Sequence, residues 1–272
     1  MVWTVRKLTG YCGAELTGAR LDGADTAVLD AARDALFAHG VVVFPDQHLS
    51  PEGHLALARH LGEIDVNRFF TPVSDHPEIA EVRTVPDAAA VIGGTWHSDH
   101  SYDTAPAMAS ILNARALPPY GGDTQFASQV AALGALSPGM RAMLAGLRAE
   151  HTDASFADSS VGLGGDAAAF KGAVTHPVVI KHPQTGVPAL YVNGDFTTRF
   201  EGWTIEESAP LLRWLYLHCT QPVFCCRVVW QPGMVAIWDN RLVQHYATAD
   251  YAGHARLMHR ITVAGQPLEA GA

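Results

Sequence analysis

A chain of 272 residues has room for one large domain or two small ones, and it can bury a core without disulfide or metal staples. Hydrophobic residues make up 48% and charged residues 17%, which excludes a disordered chain. The net charge is −9 with no basic run, which disfavours a nucleic-acid partner, while 14 histidines direct attention to metal or proton chemistry.

The first helix signal is Asp25 or Thr26, which caps a run to His39 that Gly40 ends. Val41-Val42-Val43-Phe44 then reads as a short buried strand closed by Pro45. Ser50-Pro51 opens a second helix that Gly62 stops, and Ser137-Pro138 repeats the device. Thr204-Ile205-Glu206-Glu207 is a capping-box sequence, but Pro210 inside it shifts the expected start towards Ser208. Met108–Ala114, Val174–Lys181, Ala189–Asn193, Cys225–Gln231, Met234–Trp238 and Arg256–Ala264 read as strands. Short strands with turn punctuation predict a mainly β core, sandwich or barrel, with flanking helices rather than a doubly wound sheet. The Gly- and Ala-rich stretch Val161–Ala173 is the most loop-like, and a lid is expected around residues 155–173.

No apolar run reaches the roughly 18 residues of a membrane span. Residues Met1–Arg6 lack the apolar core of a signal peptide. A soluble, cytoplasmic protein without a membrane partner is expected. Cys12, Cys219, Cys225 and Cys226 show no CxxC spacing and read as small buried hydrophobes in a reducing compartment.

The chemistry concentrates in three segments. In Trp96-His97-Ser98-Asp99-His100, His97 and Asp99 are two apart, so extended backbone aims both at one ion and turns His100 away. A second histidine, His245, follows the polar turn Trp238-Asp239-Asn240-Arg241. Two histidines and a carboxylate, with other positions open, form the facial set used for non-haem Fe(II). A structural zinc site needs a fourth protein ligand, and none stands out. In the last long strand, Arg256, Met258 and Arg260 share a face. If that face is interior, each guanidinium needs an anion, supplied either by ligands or by acids on neighbouring strands.

With these segments, the chain resembles the Fe(II)/2-oxoglutarate-dependent dioxygenases of the taurine dioxygenase and 2,4-dichlorophenoxyacetate dioxygenase type. The resemblance runs from about Leu8 to Gly265. It includes Gly13–Gly18, Val43-Phe44-Pro45-Asp46-Gln47, Trp96–Asp99, Gly121-Gly122-Asp123-Thr124, Trp238–His245 and Arg256–Arg260. It implies a jelly-roll (double-stranded β-helix) domain over residues 1–272, with Fe(II), 2-oxoglutarate and O₂ as cofactor and cosubstrates. By the same resemblance, His97, Asp99 and His245 ligate iron, Thr124 and Arg256 hold 2-oxoglutarate, and Arg260 anchors a small anionic substrate. Asn67 and Phe70 stand where taurine dioxygenase has a histidine and a tyrosine that contact substrate, so taurine itself is disfavoured. Phe156 and Phe196 are candidates for an apolar substrate wall. A sulfonate, an alkyl sulfate or an aryloxyalkanoate is the expected substrate, and a homodimer or homotetramer the expected assembly. Two rival readings are a cupin-type hydrolase or isomerase without 2-oxoglutarate, and a jelly-roll binding module without catalysis.

Overall fold

The computed structural model describes residues 2–67, 70–88, 93–154 and 172–271. Strands β1 (Thr4–Lys7) and β2 (Ala14–Thr17) lead to helix α1 (Thr26–His39), β3 (Val41–Phe44) and α2 (Pro51–Leu61). Strands β4 (Ile64–Asp65), β5 (Thr71–Val73), β6 (His76–Thr84), β7 (Ala109–Ala116) and β8 (Thr124–Ser128) follow. After α3 (Gln129–Gly134) and α4 (Pro138–Ala145) come β9 (Arg148–His151), β10 (Val174–Pro177), β11 (Val179–Lys181), β12 (Pro188–Leu190) and β13 (Thr197–Phe200). Helix α5 (Ile205–Cys219) precedes β14 (Cys225–Val228), β15 (Val235–Asp239), β16 (Val243–Ala247), β17 (Arg256–Val263) and β18 (Glu269–Ala270).

The helix starts follow from their caps. The side chains of Asp25, Ser50 and Ser137 accept from the backbone N–H groups of Val28, Gly53 and Met140. Gly40 ends α1 at φ 74°, where a Cβ would come within 2.7 Å of Val243, so the position requires glycine twice over. Helix α5 begins at Ile205 and not near Ser208. Its capping box closes in full, with Thr204 and Glu207 bonding each other's backbone N–H. Pro210 is tolerated because Glu206, whose carbonyl loses its helical partner, is exposed to water. The expected strand 174–181 breaks at Val178, which donates to Leu147 and accepts from Tyr191 as the chain passes from one sheet to another.

The main sheet has nine strands, in the order β1-β2-β3-β15-β7-β17-β6-β5 with β4 on β17. Only the β2–β3 pair is parallel among the described pairings, so the expected mainly β class holds and a doubly wound sheet does not form. Period-two alternation sorts the faces of the main sheet. Ile111, Ile237, Ile261 and Val263 pack outward with α1 and α2 residues such as Leu36 and Leu57. Leu112, Ala236, Trp238 and Met258 pack inward with Phe126, Cys226, Val228 and Val243 from a three-stranded sheet, β14-β8-β16. This two-sheet core is the expected jelly roll. The cysteines are free, three buried and Cys225 half-buried. No helix among the described residues is long and apolar enough to cross a membrane.

The packing makes the fold acid-sensitive. Burial lowers the pKa of His54 to about 3 and that of His176 to about 4. Both stay neutral in the fold, whereas in the unfolded chain they protonate near pH 6.5. Stability is therefore full above that pH and falls as pH drops towards 4, by about 1.4 kcal/mol per pH unit per group. His54→Leu is expected to flatten the fall of the melting temperature between pH 6.5 and 4. An unchanged slope would show that His54 does not carry it.

Candidate metal centre and cosubstrate pocket

His245 lies on β16, whose other edge pairs with β8, His245 opposite Phe126. On the free edge, His97 forms an isolated antiparallel rung with His245. The two exchange backbone hydrogen bonds, 3.1 Å from His97 N and 2.8 Å from His245 N. That rung places the imidazoles side by side, with ring centroids 4.1 Å apart. The next turn brings Asp99 beneath them, its Oδ1 3.6 Å from His97 Nε2 and 3.8 Å from His245 Nε2. One ligand atom from each residue lies within 4.8 Å of the others, and all three residues are buried. No other such cluster occurs among the described residues, so an ion held here would draw three protein ligands from His97, Asp99 and His245.

Surrounding groups prepare these atoms for a metal. The Thr95 carbonyl lies 2.7 Å from His97 Nδ1, which puts the ring proton there and leaves the Nε2 lone pair free. Trp238 and Phe126 hold the His245 ring at centroid distances of 4.7 and 6.2 Å. Phe196 meets the His97 ring edge-on at 5.9 Å. Burial, then the neighbouring His97, push the His245 pKa well below its ordinary value. Burial opposes charge on His97 too, but the hydrogen bond and charge of Asp99 outweigh it and raise that pKa. Burial alone would raise Asp99, yet Arg260 and the two imidazoles hold it well below the carboxylate range. One firm carboxylate and two imidazoles suit Fe(II).

Arg256 opens β17 on the inner face and is 5% exposed. Its Nε has no hydrogen-bond partner, and no carboxylate among the described residues pairs with its guanidinium. Burial lowers its pKa, partly offset by Tyr251 and Asp123. Its guanidinium carbon lies 6.0 Å from the Trp230 ring centre, and Trp230 Nε1 donates to Thr124 Oγ1 at 3.0 Å. Gly122, at φ 69°, packs so closely that a Cβ would sit 3.2 Å from Arg256 Cδ. The Gly122 N–H donates to Asp250, and Arg227 ties Asp250 to Asp123. A buried cation with a free donor, linked through Trp230 to a threonine hydroxyl, can accept a carboxylate partner.

For Arg260 the sequence leaves open a ligand anion or an acid on a neighbouring strand. The arginine already has a carboxylate, with Nη2 2.8 Å from Asp99 Oδ2, although its Nε stays buried without a partner. The segment Asp99 occupies is far from β17 in the chain, so no strand pattern reveals the pair. Asn67 Oδ1 accepts from Phe70 N at 3.0 Å, and both residues are half-buried. Phe156 and most of the expected lid lie outside the described residues. His100 turns to Asp65, 2.9 Å away, consistent with its exclusion from the ligand set. Sequence reasoning missed Thr95, Ser110, Trp230 and Arg227. Asn240 and Asp239 were visible in their motif, where Asp239 proves to bind buried Arg241 and His182.

The family model for taurine catabolism dioxygenases, TauD, TfdA family, matches residues 4–262. A sulfate ester dioxygenase dependent on alpha-ketoglutarate from Pseudomonas putida is 34% identical over 96% of this chain and 89% of its own length. An (S)-phenoxypropionate/alpha-ketoglutarate dioxygenase from Sphingobium herbicidovorans is 30% identical, covering 97% of this chain and 95% of its own. The crystal structure of a putative taurine dioxygenase from Burkholderia xenovorans superimposes with a TM-score of 0.86 at 33% identity, over 98% of this chain and 94% of that one. The chain is thus an Fe(II)- and 2-oxoglutarate-dependent dioxygenase. Within that class, it belongs to the TauD, TfdA family.

Proposed function

We propose that His97, Asp99 and His245 hold the iron, that Arg256 and Thr124 seat the distal carboxylate of 2-oxoglutarate, and that Arg260 receives a small anionic substrate. The observation that carries this reading is Arg256, buried with no partner carboxylate among the described residues and joined through Trp230 to Thr124, in the core that also holds the triad. A cupin-type hydrolase or a binding module has no use for that cation. Bound iron supplies the oxidative chemistry, in which 2-oxoglutarate and O₂ yield succinate and CO₂ while a substrate C–H becomes C–OH.

The chain's own groups position and shield. Thr95 keeps His97 Nε2 available, Arg256 and Thr124 orient the cosubstrate, and Phe196 walls the apolar side of the open face. Asn67 and Phe70 contact the substrate in this reading. Arg260 keeps a free Nε for a substrate anion while bonded to Asp99. The substrate class is a sulfate ester, sulfonate or aryloxyalkanoate, matching the kinds of molecule on which the relatives are named to act.

The test is succinate release under air with Fe(II), ascorbate and 2-oxoglutarate, over a panel of these three acid classes. Succinate is expected to rise with at least one acid. In Arg260→Ala the KM for that acid is expected to rise by about 10-fold or more, since a buried anion loses its partner. An unchanged KM in a folded variant would remove Arg260 from the substrate site.

A further inference from the structure

The triad leaves one question open, which is what keeps Asp99 to a single ligand oxygen. A carboxylate offers two oxygens, and binding through both would take one of the three positions that a bidentate cosubstrate and O₂ need. In this fold Asp99 Oδ2 is already engaged. Ser110 Oγ donates to it at 2.7 Å and Arg260 Nη2 at 2.8 Å. Oδ1 is the oxygen that faces the two imidazoles.

The direction of the Ser110 hydroxyl is fixed by groups further back. Trp238 Nε1, which can only donate, lies 2.9 Å from Asn240 Oδ1, and the Asp99 backbone N–H donates to the same oxygen at 3.3 Å. Two donors fix the Asn240 amide orientation, so its Nδ2 donates to Ser110 Oγ at 3.3 Å. Arg260 Nη2 donates to the same Oγ at 3.2 Å. With both lone pairs of Ser110 taken, its proton goes to Asp99 Oδ2. Ser110 and Asn240 are fully buried, so water does not compete for these bonds.

The geometry points to Ser110 and Asn240 as positioning residues that hold Asp99 as a one-oxygen metal ligand and so keep three positions on the ion open. This rests on the ligand assignment proposed above. Sequence gives no hint of it, because Ser110 sits in the apolar strand β7 and reads as a filler.

The test uses the purified chain stripped of metal and reloaded with Mn(II) for affinity, or Co(II) for its coordination-sensitive absorption. Ser110→Ala is expected to weaken Mn(II) binding, measured with 2-oxoglutarate present, by about 10- to 100-fold. The Co(II) spectrum is expected to shift with it. Ser110→Thr, which keeps the hydroxyl, is expected to restore both, and Asn240→Ala to repeat the loss. A hydroxyl that merely fills space would leave the Co(II) spectrum alone. Ser110→Ala with the affinity and spectrum of wild type would overturn the inference while leaving the ligand assignment intact. A wild-type chain that takes up no Mn(II) would overturn the ligand assignment, and the inference with it.

Discussion

Arg256→Met is expected to weaken 2-oxoglutarate binding by about 100-fold or more, while the ligand-free chain keeps its stability or gains some. The two effects have one cause. In the ligand-free chain the Arg256 guanidinium is buried without a partner carboxylate among the described residues, and burial already lowers its pKa. Methionine fills a similar volume without that desolvation cost. In the proposed seat, 2-oxoglutarate would give the same guanidinium a charge-assisted, two-pronged partner that methionine cannot replace. Thermal unfolding with and without ligand reads both. At 100 times its dissociation constant the cosubstrate stabilises by about 2.7 kcal/mol, and this increment is expected to fall to about 0.4 kcal/mol or less in the variant. A variant that melts well below wild type without ligand, yet keeps the increment, would place Arg256 in a structural role.

Asp99→Ala has the opposite signature. It is expected to abolish metal-dependent turnover and also to destabilise the metal-free chain by about 3–5 kcal/mol. Removing the carboxylate leaves Arg260, 8% exposed, as an uncompensated buried charge, and strips Ser110 of its acceptor. Adding Arg260→Met to Asp99→Ala is expected to recover most of the lost stability and none of the activity. Chemical unfolding of the single and double variants provides the check. If Asp99→Ala unfolds like wild type, the Asp99–Arg260 pair is not the buried ion pair described here.

The contrast between the two arginines marks what the sequence makes legible. Period two places Arg256, Met258 and Arg260 on one face, and the sheet turns that face inward. The pattern says nothing about what each guanidinium meets. Arg260 meets Asp99 because a turn after His97 delivers that carboxylate under β17, a contact of tertiary origin. Arg256 meets none among the described residues, and that difference is the informative one. His97 and Asp99 converge as their spacing implies, although Asp99 sits in a turn and the convergence owes as much to the His97–His245 rung. The Thr124 hydroxyl, the Trp230 indole and Ser110 carry no local signal, since each gains its partner only when distant strands pair. Strand β6 was missed for a similar reason. Pro77 and its charged residues weaken the β signal, and pairing with β17 supplies what propensity lacks. The starts of α1, α2 and α4 were the most legible features, because a cap and its partner lie within one turn.

The most direct measurement is a calorimetric titration of 2-oxoglutarate into the wild-type chain, once metal-free and once loaded with Mn(II) in place of iron. With the metal on His97, Asp99 and His245 and the distal carboxylate on Arg256, one cosubstrate is expected to bind tightly per chain in the loaded protein and far more weakly without metal. Equal binding in both forms, or none in the loaded one, would contradict the account.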